Sequence, residues 1–262
     1  MPLEFSGPAS PLTDEAIEAA AQSIGCQVAA VRAVIDVESR GGFLSDTRPK
    51  ILFERHYFSR LTDRQFDESH PSISHRKWGG YKGGTREYDR LAQAIELNRD
   101  AALRSASWGA FQIMGDNYRV CGFDSAEDFV AAMVSGEPAQ LEAFVAFVKG
   151  NNLDDELIRT DWAGFARGYN GPAYRANKYD EKLDAAYRFH SAGGPQVLSP
   201  RPLLRQGDRG DAVKELQEIL GIVRDGDFGP MTKRAVVEFQ RSKGLYADGI
   251  VGKNTWAALT ED

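Results

Sequence analysis

Glu38 is the residue whose type and position most directly indicate chemistry. It follows the apolar residues Val34 and Ile35 by four and three positions, so in a helix its carboxyl lies on their face. Apolar surroundings raise the pKa of a carboxyl, which lets it stay protonated near neutral pH and act as a general acid. The alternative is a structural ion pair with Arg40 or Arg55, and the position of Glu38 alone favours this alternative.

Other common catalytic groups lack the neighbours that they need. The four histidines form no HExxH motif and no tight cluster with acidic residues. Cys26 and Cys121 have no CxxC spacing and no nearby motif histidine, and the chain contains no GxSxG motif. We therefore predict no metal, no cofactor, and no cysteine or serine nucleophile.

Helices are the elements that would position Glu38. Thr13 is typical of a helix N-cap before DEAIEAAAQSI, and a second helix is predicted from about residue 27 to Glu38. No alternating strand pattern competes with the helical periodicity, so a mainly α fold is predicted. A glycine-rich loop, WGGYKGG, follows at residues 78–84. Further helices are predicted at residues 87–103, 126–135, 139–149 and 179–189.

Two domains are predicted, since 262 residues exceed the usual size of one compact domain. The segment HSAGGPQVLSPRP concentrates Gly, Pro and Ser between two helical regions, as linkers do. We place the first domain at residues 1–190, the linker at 191–202 and the second domain at 203–262.

The second domain contains an internal repeat with an offset of 23 residues. Asp225-Gly226 falls on Asp248-Gly249, and Leu216-Gln217 falls on Phe239-Gln240. Each unit combines a tight Asp-Gly turn with a short helix that has one apolar face. A small bundle of three helices is therefore predicted.

Charge and hydropathy argue against several classes of partner. The net charge is −6, with 23 Lys and Arg against 28 Asp and Glu in residues 1–202, and 9 against 10 in residues 203–262. Neither part is a nucleic-acid binder by bulk charge. No stretch approaches the ~18 apolar residues of a membrane span, and the N-terminus lacks the pattern of a signal peptide. We expect no nucleic-acid partner, no membrane insertion, and accumulation in the cytoplasm.

Motifs along both domains resemble known families. ES at 38–39, SWGAFQIMG at 107–115 and ARGYNGPAY at 166–174 resemble, in this order, the lysozyme and lytic transglycosylase superfamily. More narrowly, ESRGGF, RPKILFERHYFSR, SASWGAFQIMG and FARGYNGPAY resemble the N-acetylmuramidase domain of phage endolysins. DGDFGPMTKRAVVEFQ and ADGIVGKNTWAAL resemble the peptidoglycan-binding domain of many wall hydrolases. The resemblance implies a lysozyme-like helical catalytic domain with Glu38 as its acid, followed by a small three-helix peptidoglycan-binding bundle.

The central motif supplies small and amide side chains for substrate binding. Ser107 and Gly109 are small enough for a sugar ring to approach the backbone closely. Gln112 offers a donor and an acceptor together for an N-acetyl group or a hydroxyl. The apolar members of this motif are expected in the core instead: Trp108, Phe111 and Ile113.

The remaining site residues come from two other motifs. Tyr169 and Asn170 offer an aromatic edge and an amide, and His56 is also predicted to bind substrate. Glu54 is the candidate second carboxylate, which would stabilise developing positive charge or position water. The alternative for Glu54 is a buried ion pair with a neighbouring arginine such as Arg55.

The resemblance implies cleavage of peptidoglycan glycan strands. A muramidase would hydrolyse the β-1,4 bond between N-acetylmuramic acid and N-acetylglucosamine, with Glu38 protonating the glycosidic oxygen. One alternative is a lytic transglycosylase, which needs a single Glu and leaves 1,6-anhydro ends; Glu54 favours hydrolysis. The other is a non-catalytic wall-binding or virion structural protein, against which the spacing of Glu38, Gln112 and Tyr169 argues.

The second domain is expected to hold the enzyme on the cell wall. The repeated turns at Asp225, Gly226, Asp248 and Gly249 are the candidates for shaping the wall-binding face. An endolysin of this kind implies a holin as partner, which would release it from the host cytoplasm to act in the periplasm or wall. We expect a monomer.

Overall fold

The computed structural model describes residues 4–39, 41–172, 174–192, 204–245 and 247–260. The chain divides into two compact units, Met1–Gln196 and Val197–Asp262. Both units are mainly helical, which confirms the predicted fold class. Apart from residues 191 and 192, the predicted linker lies outside the described residues.

The first unit has its Glu38-bearing helix in the core. The helix α2 contacts α1 and α10, and it buries Ala30, Val31 and Val34 completely. Thr13 caps α1 as predicted, because its side chain accepts the backbone N–H of Ala16. The helices are α1 (Asp14–Ile24), α2 (Val28–Glu38), α3 (Arg55–Leu61), α4 (Arg86–Leu97), α5 (Arg99–Arg104), α6 (Ala126–Ser135), α7 (Glu137–Gly150), α8 (Asp154–Arg159), α9 (Trp162–Asn170) and α10 (Tyr179–Ser191), with 3-10 turns at Gly115–Asn117 and Tyr174–Asn177.

The helix predicted at residues 87–103 is interrupted at Asn98. This residue is extended, with φ −162°, and its side chain accepts the backbone N–H of Ala101 at 2.9 Å. Asn is a favoured N-cap because its short side chain satisfies a free N–H of the first turn. The local hydrogen bond therefore ends α4 and starts α5.

A small antiparallel sheet, which the sequence did not predict, lies in the same unit. It contains β1 (Ile51–Phe53), β2 (Ala106–Trp108) and β3 (Ile113–Met114), in the order β1-β2-β3. Leu52 pairs with Ser107, and Ser107 pairs with Met114. The strands are too short for alternation of polar and apolar residues to reveal them in the sequence.

The second unit contains α11 (Asp211–Ile219), α12 (Pro230–Ser242) and α13 (Lys253–Thr260). Its core is small and includes Val213, Leu216, Phe228 and Val236 from the two repeats. Among the helices described in either unit, none has both the length and the apolar composition needed to cross a membrane.

Candidate active site

Glu38 is the last residue of α2, and its carboxyl is half-buried beside the end of α9. Burial raises the pKa of this carboxyl. A hydrogen bond from Asn170 and the charge of Lys182 act in the opposite direction, but the pKa stays above its ordinary value. The direction agrees with the sequence prediction and suits a general acid.

The structural ion pair considered for Glu38 is not formed with Arg55. The guanidinium of Arg55 donates instead to the backbone carbonyls of Lys77 and Trp78, at 3.0 and 3.3 Å. The other candidate partner, Arg40, lies outside the described residues.

Asn170 is the residue that contacts Glu38 directly. Its Nδ2 donates to Glu38 Oε1 at 3.0 Å from the C-terminal end of α9. Its Oδ1 is buried and has no hydrogen-bond partner within the described residues. A buried amide oxygen without a partner is unfavourable, so this atom is an acceptor available to a hydroxyl or N–H of a ligand.

Tyr169 links α9 to the turn between β2 and β3. Its hydroxyl donates to the carbonyl of Phe111 at 2.8 Å, and its ring stacks on Phe165. Burial, followed by the nearby charge of Glu38, raises the pKa of the hydroxyl well above its ordinary value. The hydroxyl therefore stays protonated and holds the two elements together.

The turn between β2 and β3 uses the amide of Gln112 to close itself. Ser107 Oγ donates to Gln112 Oε1 at 2.9 Å. Gln112 Nε2 donates to the carbonyls of Gly109 and Lys50, at 2.8 and 3.2 Å. Ser107 is buried and Gln112 is exposed, so only Gln112 has much surface to offer a ligand. The substrate contacts of both residues stay predictions.

Packing inside the protein already requires a glycine at position 109. Gly109 is buried with φ +74°, and a Cβ there would lie 2.6 Å from Cδ of Gln140. The side chain of Gln140 thus occupies the space beside this glycine. Its Oε1 accepts the backbone N–H of Ala110 at 2.7 Å. Gly109 allows this internal contact, and the approach of a sugar ring to its backbone stays a prediction. Trp108, Phe111 and Ile113 are buried as predicted.

Glu54 follows β1 and occupies the position before α3. Its backbone N–H donates to the carbonyl of Ser105, and its two carboxylate oxygens accept from the hydroxyl of Tyr81 at 2.9 and 2.8 Å. His56 Nδ1 lies 3.1 Å from Glu54 Oε2 without forming a hydrogen bond. No arginine pairs with Glu54 among the described residues. The contact with Tyr81 has no signal in the sequence beyond the glycine-rich loop.

The cysteines are not activated. Burial raises the pKa of Cys26 to about 11 and that of Cys121 to about 12, which keeps both as thiols. Within the described part of the chain, no group of three or more His, Cys, Asp and Glu residues is arranged to hold a metal ion.

The first repeated turn of the C-terminal unit is built around the buried Gln217. Its Nε2 donates to Asp225 Oδ1 at 2.7 Å and to Thr232 Oγ1 at 3.1 Å, and its Oε1 accepts from Gly226 N at 2.8 Å. Hydrogen bonds from the Asp227 N–H and from Gln217 lower the pKa of Asp225. Gly226 is buried, with φ +76°.

Gln240 repeats this arrangement in the second turn. Its Nε2 donates to Asp248 Oδ1 at 3.0 Å and to Thr255 Oγ1 at 3.1 Å, and its Oε1 accepts from Gly249 N at 2.9 Å. The sequence repeat is therefore a structural repeat. The Asp and Gly residues of both turns build the turns themselves, and their part in wall binding stays a prediction.

The helical fold, with a carboxyl of raised pKa at the end of α2 and a second carboxylate beside a small sheet, defines a lysozyme-like domain. Residues 27–191 match the N-acetylmuramidase family, and the chain belongs to this family. Residues 209–259 match a family of peptidoglycan-binding domains.

The solved structure of the Burkholderia AP3 phage endolysin is similar to this chain. The identity is 43% and the TM-score 0.67, over 71% of this chain and 73% of that one. The predicted resemblance to phage endolysins that combine a muramidase domain with a peptidoglycan-binding domain is confirmed.

Two curated proteins match shorter segments. An uncharacterised protein of the bpoA1 3′ region from Kitasatospora aureofaciens is 51% identical over 65 residues, which are 22% of this chain and 55% of that protein. The zinc D-Ala-D-Ala carboxypeptidase of Streptomyces albus G is 44% identical over 61 residues, which are 20% of this chain and 24% of that protein. The chain thus spans about half of the first relative and a quarter of the second.

Proposed function

We propose that this protein hydrolyses the β-1,4 bond between N-acetylmuramic acid and N-acetylglucosamine in peptidoglycan, with Glu38 as its general acid. The observation that carries the proposal is the half-buried carboxyl of Glu38, whose pKa is raised by burial and whose Oε1 is held by Asn170. Membership of the N-acetylmuramidase family supports the choice of substrate.

In the proposed reaction, protonated Glu38 gives its proton to the glycosidic oxygen as the bond breaks. Such assistance by a general acid is typically worth ~10²–10⁴ in rate. The carboxylate that remains is stabilised by the amide N–H of Asn170 and by the charge of Lys182. The same two groups limit the rise that burial causes in the pKa of Glu38.

Glu54 takes the second role in this proposal. Its carboxylate stabilises the positive charge that develops on the sugar or orients the attacking water. The free Oδ1 of Asn170 then accepts a hydrogen bond from a sugar hydroxyl or from an N-acetyl N–H.

Substitution Glu38→Gln tests the general acid. We expect turnover to fall by at least ~10² while the fold is kept, because glutamine preserves the shape of the side chain and cannot donate the proton. Release of reducing ends from purified sacculi measures turnover, and circular dichroism checks the fold. Glu18→Gln, at an exposed position of α1, is the matched control and should behave as wild type. Near-normal activity of Glu38→Gln would refute the proposal.

A lytic transglycosylase is the second candidate function. It requires only one catalytic carboxyl, and Glu38 is the carboxyl near the site for which burial raises the pKa. The products separate the two reactions, since transglycosylation leaves 1,6-anhydro ends.

The C-terminal unit is proposed to hold the enzyme on the wall. Its match to peptidoglycan-binding domains supports this role. Tethering raises the local concentration of the catalytic unit near its polymeric substrate. Release by a holin, a cytoplasmic location before lysis and a monomeric state stay predictions.

A further inference from the structure

The hydroxyl of Tyr81 meets both carboxylate oxygens of Glu54, at 2.9 and 2.8 Å. Burial, together with the hydrogen bond to Glu54, raises the pKa of this hydroxyl to about 12. Tyr81 therefore remains a donor at neutral pH. A hydrogen bond donated to a carboxylate fixes the orientation of that carboxylate.

The loop that carries Tyr81 is fixed at its C-terminal end by Glu87, which is fully buried. The carboxylate of Glu87 accepts the backbone N–H groups of Lys82 and Gly83 and pairs with Arg90 at 2.8 Å. Burial alone would raise the pKa of Glu87, but these hydrogen bonds outweigh it and hold the pKa below its ordinary value. Glu87 is thus a buried carboxylate whose charge is compensated by these hydrogen bonds and by the ion pair with Arg90.

Glu87 and Arg90 also hold Phe53, the residue before Glu54. The backbone N–H of Phe53 donates to Glu87 Oε2 at 3.2 Å, and Arg90 Nη1 donates to the carbonyl of Phe53 at 2.8 Å. On the other side of Glu54, Arg55 donates to the carbonyls of Lys77 and Trp78 at the start of the loop. Both chain neighbours of Glu54 are therefore linked to the Tyr81 loop by bonds that do not involve the carboxylate of Glu54.

We propose that Tyr81 is a positioning residue: its hydroxyl fixes the orientation of the Glu54 carboxylate. The inference rests on the proposed role of Glu54 in the reaction. The glycine-rich loop at residues 78–84 would then serve to place Tyr81 beside Glu54, between β1 and α3.

Substitution Tyr81→Phe tests the proposal because it removes only the hydroxyl. We expect kcat to fall roughly 10- to 100-fold, the loss expected for one hydrogen bond to a charged group, with little change in KM. Tyr187→Phe, on α10 beside Trp162, is the control and should keep wild-type kcat.

The double variant Tyr81→Phe with Glu54→Gln shows whether Tyr81 acts through Glu54. We expect Tyr81→Phe to cause no further loss when glutamine already replaces Glu54. An equal loss in both backgrounds, or a wild-type kcat for Tyr81→Phe while Glu54→Gln is impaired, would overturn the role of Tyr81 and leave the proposed function standing. Wild-type turnover of Glu54→Gln would remove the proposed role of Glu54 and the inference with it.

Discussion

At Glu38, burial and hydrogen bonding act on the same carboxyl in opposite directions. Burial at the end of α2 raises its pKa, while Asn170 and Lys182 favour the ionised form. The balance leaves a group that can hold a proton before the reaction and can be stabilised after the proton has left. A general acid needs both properties, because its protonation state changes during the reaction.

The raised pKa makes stability depend on pH at this position. The folded protein holds the Glu38 proton to a higher pH than the unfolded chain does, so the favourable contribution is present at low pH and is lost as the pH rises through the folded pKa. We therefore expect Glu38→Gln to raise the melting temperature relative to wild type more at mildly alkaline pH than at acidic pH. Thermal unfolding of both proteins at the two pH values checks this, and a difference independent of pH would contradict it.

Residue type was sufficient to select Glu38, Asn170 and Glu54 as candidates, because carboxyls and amides in ordered motifs can be recognised one at a time; their roles stay predictions. Tyr81 and Gln140 were missed for a physical reason. Each contacts the site across a long separation in sequence, through a loop path or a buried helix face that local patterns do not encode.

At the scale of elements, Gln140 on α7 joins parts of the site that are distant in sequence. It accepts the backbone N–H of Ala110 and donates to the carbonyl of Met133. Its side chain also fills the space where a Cβ at Gly42 or Gly109 would lie. The loop after α2 and the turn after β2 therefore pack against one buried amide.

Substitution Gly109→Ala tests how much the packing of Gln140 against Gly109 contributes to stability. The new Cβ would lie 2.6 Å from Gln140 Cδ, in a backbone with φ +74°. We expect a destabilisation of about 1–3 kcal/mol from overpacking, in addition to about 1–2 kcal/mol for the left-handed backbone. Chemical denaturation measures the free energy of unfolding.

Gly122→Ala is the matched control for that variant. Its φ is +86°, and no atom lies within 4 Å of the added Cβ, so only the backbone cost applies. Equal destabilisation of the two variants would contradict the proposed contact with Gln140.

The longer helices of the first unit were predicted because each has an apolar face long enough to show its period, and the cap at Thr13 follows from side-chain chemistry. The shorter helices α3, α8 and α9 were not predicted. The sheet was not predicted, because its strands span only three, three and two residues. The pairing of β1 with β2 also depends on contacts between residues more than fifty positions apart, such as Leu52 with Ser107.

At the scale of the whole molecule, the two repeats of the C-terminal unit should depend equally on their buried glutamines. Gln217→Ala or Gln240→Ala removes the partner of a buried glycine N–H, which costs about 1–3 kcal/mol. We expect faster hydrogen exchange across residues 204–260 in both variants, read by mass spectrometry on the full chain. Gln206→Ala, at an exposed position, is the control. Unchanged exchange in either variant would refute the equivalence of the repeats.

Removal of the C-terminal unit tests tethering. A chain ending at residue 192 should lose more activity on intact sacculi than on soluble glycan fragments, because tethering helps only on a polymeric surface. Circular dichroism checks that the truncated chain stays folded. Equal losses on both substrates would argue against a tethering role.

We propose that Glu38 drives hydrolysis of the glycan strand. Mass spectrometry of peptidoglycan digested by the wild-type chain and by Glu38→Gln tests it most directly. We predict muropeptides with reducing N-acetylmuramic acid ends from the wild type and none from the variant. Products with 1,6-anhydro ends would show transglycosylation instead of hydrolysis, and the same reducing products from Glu38→Gln would exclude Glu38 as the general acid.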